Sequence, residues 1–340
     1  MHLYTSILIL FFFVYNGLIQ LKNKEAVSKA DQITFILPES NNLQWINFYV
    51  AVGAGFIDDS IQLKYPKNKR SFDELFDAEG PSITILPRPL LIEFASEGKE
   101  IKAIANLLEN DPVNLIGNST VVQDRQVDSS QTVAQILEKL QGLRIGVAPG
   151  PVTRLKKLLE FYGFDPENHF KISITGGRQQ NAAFEKNEID LLYAHTPFLE
   201  DALVNQNGNL LINQSNGSVP ALSERAIHFL AVKSDQLEAN QAQIQSVVSG
   251  IYRAQVLLKN DPEEAFRALM KSPVKYASEK ELRTIFDIYK NAVPSTPLIN
   301  PDFSKELDLL PGHSPVPSSK DINYENFIDN RFAQFAIDTL

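Results

Sequence analysis

The chain has 340 residues, 44% hydrophobic and 21% charged, with a formal net charge of −9, a length that suits about two domains. The acidic balance argues against a nucleic-acid surface, which needs a clustered basic excess. With no cysteine at all, disulfides, thiolate nucleophiles, cysteine zinc sites, iron–sulfur clusters and lipoprotein-type acylation are excluded together.

Leu3 to Ile19 is a nearly unbroken apolar run, and Ser28 and Ala30 put small residues at the two positions a signal peptidase reads. Residues 1–30 therefore read as an export segment cleaved before Asp31. The other reading is an uncleaved membrane anchor, because about 17 mostly apolar residues sit at the short limit for spanning and no Lys or Arg precedes the run. Either way the body lies outside the cytoplasm.

Ile33 to Leu37 reads as a strand and Leu43 to Gly53 as a helix, with Ile46, Tyr49, Val50 and Gly53 spaced for one buried face and Gly55 as its stop. Ile61 to Tyr65 follows as a strand, Phe72 to Asp77 as a short helix, then Ile83 to Leu86 and Glu100 to Leu108 as strands. Strands alternating with helices predict a mostly parallel sheet covered on both faces.

Gly55, Phe56, Arg70, Phe76, Pro89 and Leu91 recur as Gly163, Phe164, Arg178, Phe184, Pro197 and Leu199, always 108 residues later, inside the same order of elements. Two similar α/β units imply two lobes with a cleft between them. The second unit opens on Leu143 to Ala148 as a buried strand. A turn at Pro149, Gly150 and Pro151 follows, then a helix with Thr153 as N-cap, Leu155, Leu158, Leu159 and Tyr162 on one face, and Gly163 past its end. A strand turning sharply into a helix aims backbone N–H groups and the positive end of the helix dipole beyond the strand's carboxyl edge, a place that suits an anion. Phe170 to Ile174 and Asp190 to Ala194 complete the unit as strands. The five histidines, His2, His169, His195, His228 and His313, lack metal-ligand spacing, and no G-x-S-x-G, H-E-x-x-H or P-loop pattern is present. No cofactor or metal is expected.

Three stretches carry a family resemblance: Leu43 to Tyr65, Phe72 to Ala105, and the run from Leu140 through Pro151 with its helix. They resemble the periplasmic solute-binding proteins of ABC transporters, in the branch serving nitrate, sulfonate and thiamine-pyrimidine uptake, which is related to the thiamine pyrimidine synthases. Ile227 to Val232, the helix from Ile244 to Lys259 and the turn at Asn260, Asp261 and Pro262 are similar to that family's return segment. The resemblance spans about Ile33 to Leu269, leaving the Pro-rich stretch from Pro294 to Pro317 and the helix after Asp321 without a counterpart. It implies a type II periplasmic-binding-protein fold, two α/β lobes around a ligand cleft joined by two crossovers, with closure about a hinge. Lobe 1 would take residues 31–115 plus 225–340, and lobe 2 residues 116–224. The crossings would fall near Val113 to Ser119 and Gly217 to Ala226.

The same resemblance points to four ligand loops. The first holds Asn42, Gln44 and Trp45, the lone tryptophan, which either stacks on a flat ligand or packs between helix and sheet. The second holds Pro87 and Arg88, an arginine between two prolines and so a candidate anion partner. The third is Gly150, Pro151, Val152, Thr153 and Arg154, either a phosphate-like cradle or a simple capped turn. The fourth is Tyr193, His195 and Thr196, where the repeat sets His195 and Thr196 opposite Pro87 and Arg88. Gly176, Gly177 and Arg178 form a further candidate turn. The function implied is an extracytoplasmic, monomeric receptor that captures a small organic anion or heteroaromatic solute and delivers it to an ABC permease and its ATPase. Two alternatives remain: a pyrimidine-synthase-like enzyme, from which the chain departs by lacking cysteine and carrying an export segment, and a membrane-anchored ligand sensor.

Overall fold

The computed structural model describes residues 32–38, 40–57, 61–67, 71–78, 80–300 and 323–340. The expected export segment, Arg70 and residues 301–322, which include most of the Pro-rich stretch, lie outside the described residues. Among the described residues, no helix is long and apolar enough to cross a membrane.

Ten strands are described: β1 (Ile33–Ile36), β2 (Ile61–Lys64), β3 (Ser82–Pro87), β4 (Ile101–Leu108), β5 (Asn114–Gly117), β6 (Arg144–Val147), β7 (Lys171–Ile174), β8 (Leu191–Ala194), β9 (Asn209–Ile212) and β10 (His228–Lys233). They form two five-stranded sheets, ordered β2-β1-β3-β10-β4 and β7-β6-β8-β5-β9. Each sheet holds four strands in one direction and one against it, β10 in the first and β5 in the second. The expected mostly parallel sheet is thus mixed, for a simple reason. Residues 109–113 and 213–227 carry the chain from one sheet to the other, and a strand entering a sheet at its cleft end must run away from the cleft. β10 accordingly begins at His228, opposite the last residue of β3, Pro87, and β5 begins at Asn114, opposite the last residue of β8, Ala194.

In each unit the third strand pairs parallel to the first, β3 to β1 and β8 to β6; Ile83 and Leu191 match at the 108-residue offset, whereas their partners Phe35 and Ile145 do not, the second unit's register being shifted by two residues. Gly55 and Gly163 both take positive φ, 70° and 82°, just past the helices Ile46–Gly53 and Val152–Phe161, where a side chain would be strained. The buried strand β3 and the buried flank of Ile46–Gly53 anchor the first core, while Leu155, Leu158 and Leu159 anchor the second. Thr153 is not the N-cap: Pro151 occupies that position and the helix starts at Val152, because proline's fixed φ already suits a helix start. Gly176 and Gly177 do not form a free turn either, since Gly176 caps the helix Gly177–Glu185.

The helix Ile46–Gly53 packs against the helices Gln241–Asn260 and Pro262–Lys271. A Cβ at Gly53 would stand 1.9 Å from the Ala268 carbonyl oxygen, a backbone atom that cannot swing aside. Gly53→Ala should therefore push the helices apart and lower stability by about 1–3 kcal/mol, measured by urea unfolding. An unchanged midpoint would mean the two helices are not in this contact.

Candidate functional site

The carboxyl ends of the strands converge on a cavity of about 230 Å³ built from both units. From the first sheet come Pro38 after β1, the segment from Asn42 to Trp45, Pro87 at the end of β3, and His228 at the start of β10. Pro112 lies on the first crossing. From the second unit come Arg154, on the helix Val152–Phe161, and His195, directly after β8. The strand directions put these residues there: β3 and β8 run toward the cavity, and β10 leaves it.

Gln44 and Trp45 belong to a 3₁₀ turn, Leu43–Trp45, opened by Asn42, whose side chain accepts the Gln44 N–H at 3.0 Å. That cap turns Gln44 and Trp45 toward the cavity. The indole N–H of Trp45 donates to His228 Nδ1 at 3.3 Å. Since an indole can only donate, His228 Nδ1 is the acceptor and its proton sits on Nε2. Trp45 is packed in the first core, as one of its two expected readings had it, and it also lines the cavity. His195 Nδ1 lies 2.9 Å from the Gln44 carboxamide and 2.7 Å from the Thr196 carbonyl.

Both imidazoles are held neutral. Burial pushes His228 down to about 3, aided by the charge of Arg154 and by His195. Burial also lowers His195, opposed by the Thr196 carbonyl and reinforced by Arg154. Arg154 is the cation of the site. Its Nε lies 3.1 Å from Asp111 Oδ2, an ion pair in which Asp111 is wholly buried and Arg154 is 19% exposed, although the contact is not aligned as a hydrogen bond.

Of the residues expected from the sequence, Asn42, Gln44, Trp45, Pro87, Arg154 and His195 line this cavity. Gly150, Pro151, Val152 and Thr153 form the turn and helix start beside Arg154 and are not among its lining residues. Arg88, 2% exposed, opens the helix Arg88–Ser96, and its backbone N–H donates to the Ile227 carbonyl at 2.9 Å. Tyr193 is buried in the second core, where its hydroxyl accepts from Gln214 at 2.7 Å and burial raises its pKa. Thr196 is buried too: its N–H donates to Tyr289 Oη at 3.0 Å, and its hydroxyl donates to Glu200. His228 was not expected at the site, although the antiparallel sense of β10 makes it the direct partner of Pro87.

Glu200, Tyr276 and Tyr289 tie the two units together beside the cavity. The Tyr276 hydroxyl donates to the Asn41 carbonyl at 2.8 Å and lies 3.4 Å from Glu200. The Tyr289 hydroxyl donates to the Pro112 carbonyl at 2.8 Å.

No family model matches the chain, and neither does any curated protein. Solved structures do. A putative periplasmic sulfonate-binding protein, SsuA, from Methylobacillus flagellatus is 13% identical with a TM-score of 0.61, covering 90% of this chain and 94% of that one. The ligand-binding component of an ABC-type import system from Staphylococcus aureus, with zinc bound, is 14% identical with a TM-score of 0.59, covering 90% and 98%. The desulfurization enzyme DSZB is 12% identical with a TM-score of 0.61, covering 91% and 99%. The chain therefore has the type II periplasmic-binding-protein fold, a scaffold used by binding proteins and by at least one enzyme.

Proposed function

We propose that this protein is an extracytoplasmic receptor that encloses a small anion between its two lobes, closes about the crossings at 109–113 and 213–227, and passes the anion to an ABC permease. The observation that carries this reading is Arg154, largely buried beside two neutral imidazoles in a cavity lined from both units. A guanidinium with few water contacts and a donor at His228 Nε2 favours an oxyanion, while Trp45, Ile85 and Ile227 give an apolar remainder a surface. At about 230 Å³ the cavity lies below the range of about 300–1,000 Å³ that suits drug-sized ligands. A short alkanesulfonate or nitrate fits that limit better than a phosphorylated heterocycle.

A catalyst on the same scaffold is less well supported. His195 and His228 are neutral bases, but no hydroxyl or thiol is among the residues lining the cavity for them to activate. Among the described residues, no group of three or more His, Cys, Asp or Glu could hold a metal ion.

The test is a thermal-shift screen against nitrate, short sulfonates, bicarbonate, aminopyrimidines and thiamine phosphates, with each compound recovered and analysed afterwards. A ligand at about 100 times its dissociation constant stabilises by about 2.7 kcal/mol. The expected result is a shift with a small anion that is recovered unchanged. A shift only with neutral or cationic compounds, or a chemically altered compound, overturns the reading.

A further inference from the structure

The two imidazoles of the anion cavity offer opposite hydrogen-bonding groups to whatever binds there. At His195 a backbone carbonyl decides the tautomer: Nδ1 lies 2.7 Å from the Thr196 oxygen, and a carbonyl can only accept, so Nδ1 carries the ring proton. The Gln44 carboxamide, 2.9 Å from the same nitrogen, adapts to this, because a half-turn exchanges its oxygen for its nitrogen without a change of shape. The neutral ring therefore has its lone pair on Nε2. His228 is the reverse. Its Nδ1 accepts the Trp45 indole N–H at 3.3 Å, and its proton sits on Nε2.

Among the described residues neither Nε2 has a hydrogen-bond partner, and neither is sealed from solvent. Both rings line the cavity of about 230 Å³, so their open edges border it. The other lining side chains do not duplicate His195. Asn42 Oδ1 is occupied by the Gln44 N–H at 3.0 Å and the Gln44 carboxamide by His195, while Arg154 and the Trp45 indole can only donate. The cavity thus combines a cation, a donor at His228 Nε2 and an acceptor at His195 Nε2. An anion whose every outward atom is an acceptor, such as nitrate, suits the first two and sets an oxygen lone pair against the third. The desolvated lone pair of His195 then goes unmet, which counts against binding.

Granted the anion-binding reading of this cavity, on which the inference rests, we propose that His195 sets its specificity: the Nε2 lone pair accepts a hydrogen bond from the ligand, so the anion taken carries its own O–H or N–H group. Protonation of the ring on binding would turn Nε2 into a donor and cancel the selection. Burial, and after it the charge of Arg154, opposes that proton.

The experiment is calorimetric titration of the full chain at about pH 8 with two matched pairs, hydrogencarbonate against nitrate and hydroxyethanesulfonate against propanesulfonate. Each titration is repeated in buffers of differing ionisation enthalpy, which counts protons taken up. The members of a pair are close in size and charge, and only the first has a hydrogen to give. In at least one pair the first member should bind at least about tenfold more tightly, and nitrate and propanesulfonate should bind without proton uptake. His195→Phe keeps a flat ring without the acceptor and should bring that ratio to about one, whereas general loosening of the site would weaken both members alike. Should that variant fail to fold, the pairs measured on the parent chain still decide. Equal affinities within both pairs, tighter binding of nitrate or propanesulfonate than of its partner, proton uptake with either, or an unchanged ratio in His195→Phe overturns the role of His195. Binding without the preference leaves the receptor standing and removes that role alone; no binding by any of these anions removes both.

Discussion

Replacing Arg154 with methionine should cost about 3–5 kcal/mol of stability and abolish anion binding in the cavity. The loss of stability comes less from the arginine than from what it leaves behind. Asp111 lies wholly buried on the first crossing, with the Arg154 guanidinium 3.1 Å from Oδ2 and the Val113 N–H donating to Oδ1 at 3.1 Å. Methionine roughly fills the arginine stem but leaves the carboxylate charged and uncompensated, and removing one member of a buried pair is far more damaging than removing both. The Arg154→Met, Asp111→Asn double variant should therefore recover most of the stability and none of the anion binding. Urea unfolding of the two singles and the double gives the coupling directly. If Arg154→Met loses less than about 1 kcal/mol, water reaches Asp111 and the pair is worth no more than a surface one.

That pair also shows where the sequence was legible and where it was not. Apolar runs, stop glycines and the repeat offset expose the two units, because these signals are local: Gly55 and Gly163 need positive φ wherever the helices are placed. Strand sense is not local. Ile227 to Val232 reads as a strand, but only its antiparallel pairing with β3 brings His228 beside Pro87 and under the Trp45 indole. Arg88 and Arg154 look alike as residues after a strand end, yet Arg88 is 2% exposed at the start of its helix, whereas Arg154 reaches the cavity from the first turn of its own. The contacts of Tyr276 and Tyr289 with Glu200 and Thr196 span 76 to 93 residues, and no periodicity records such pairings. The Asp111 partner of Arg154 is of the same kind, a consequence of how the crossing folds back.

The burial of Glu200 predicts an unusual dependence on pH. Burial raises the Glu200 carboxyl from the usual 4.5 to about 7, opposed by the Thr196 hydroxyl and by backbone N–H groups. The Tyr276 hydroxyl gives its proton to the Asn41 carbonyl at 2.8 Å and stands 3.4 Å from Glu200 Oε1, so it does little to offset the burial of that carboxyl. The folded chain thus holds a proton that the unfolded chain has already released between pH 4.5 and 7. Stability is therefore fully present below about pH 4.5 and falls as pH rises toward about 7, by on the order of 3 kcal/mol for this group alone. Glu200→Gln keeps a neutral side chain of the same shape at every pH and should remove that loss, so the variant should be the more stable protein at about pH 8 and close to the parent at about pH 4.5. Urea unfolding of both chains across this range decides the matter. Parallel curves would mean that Glu200 is ionised in the folded chain.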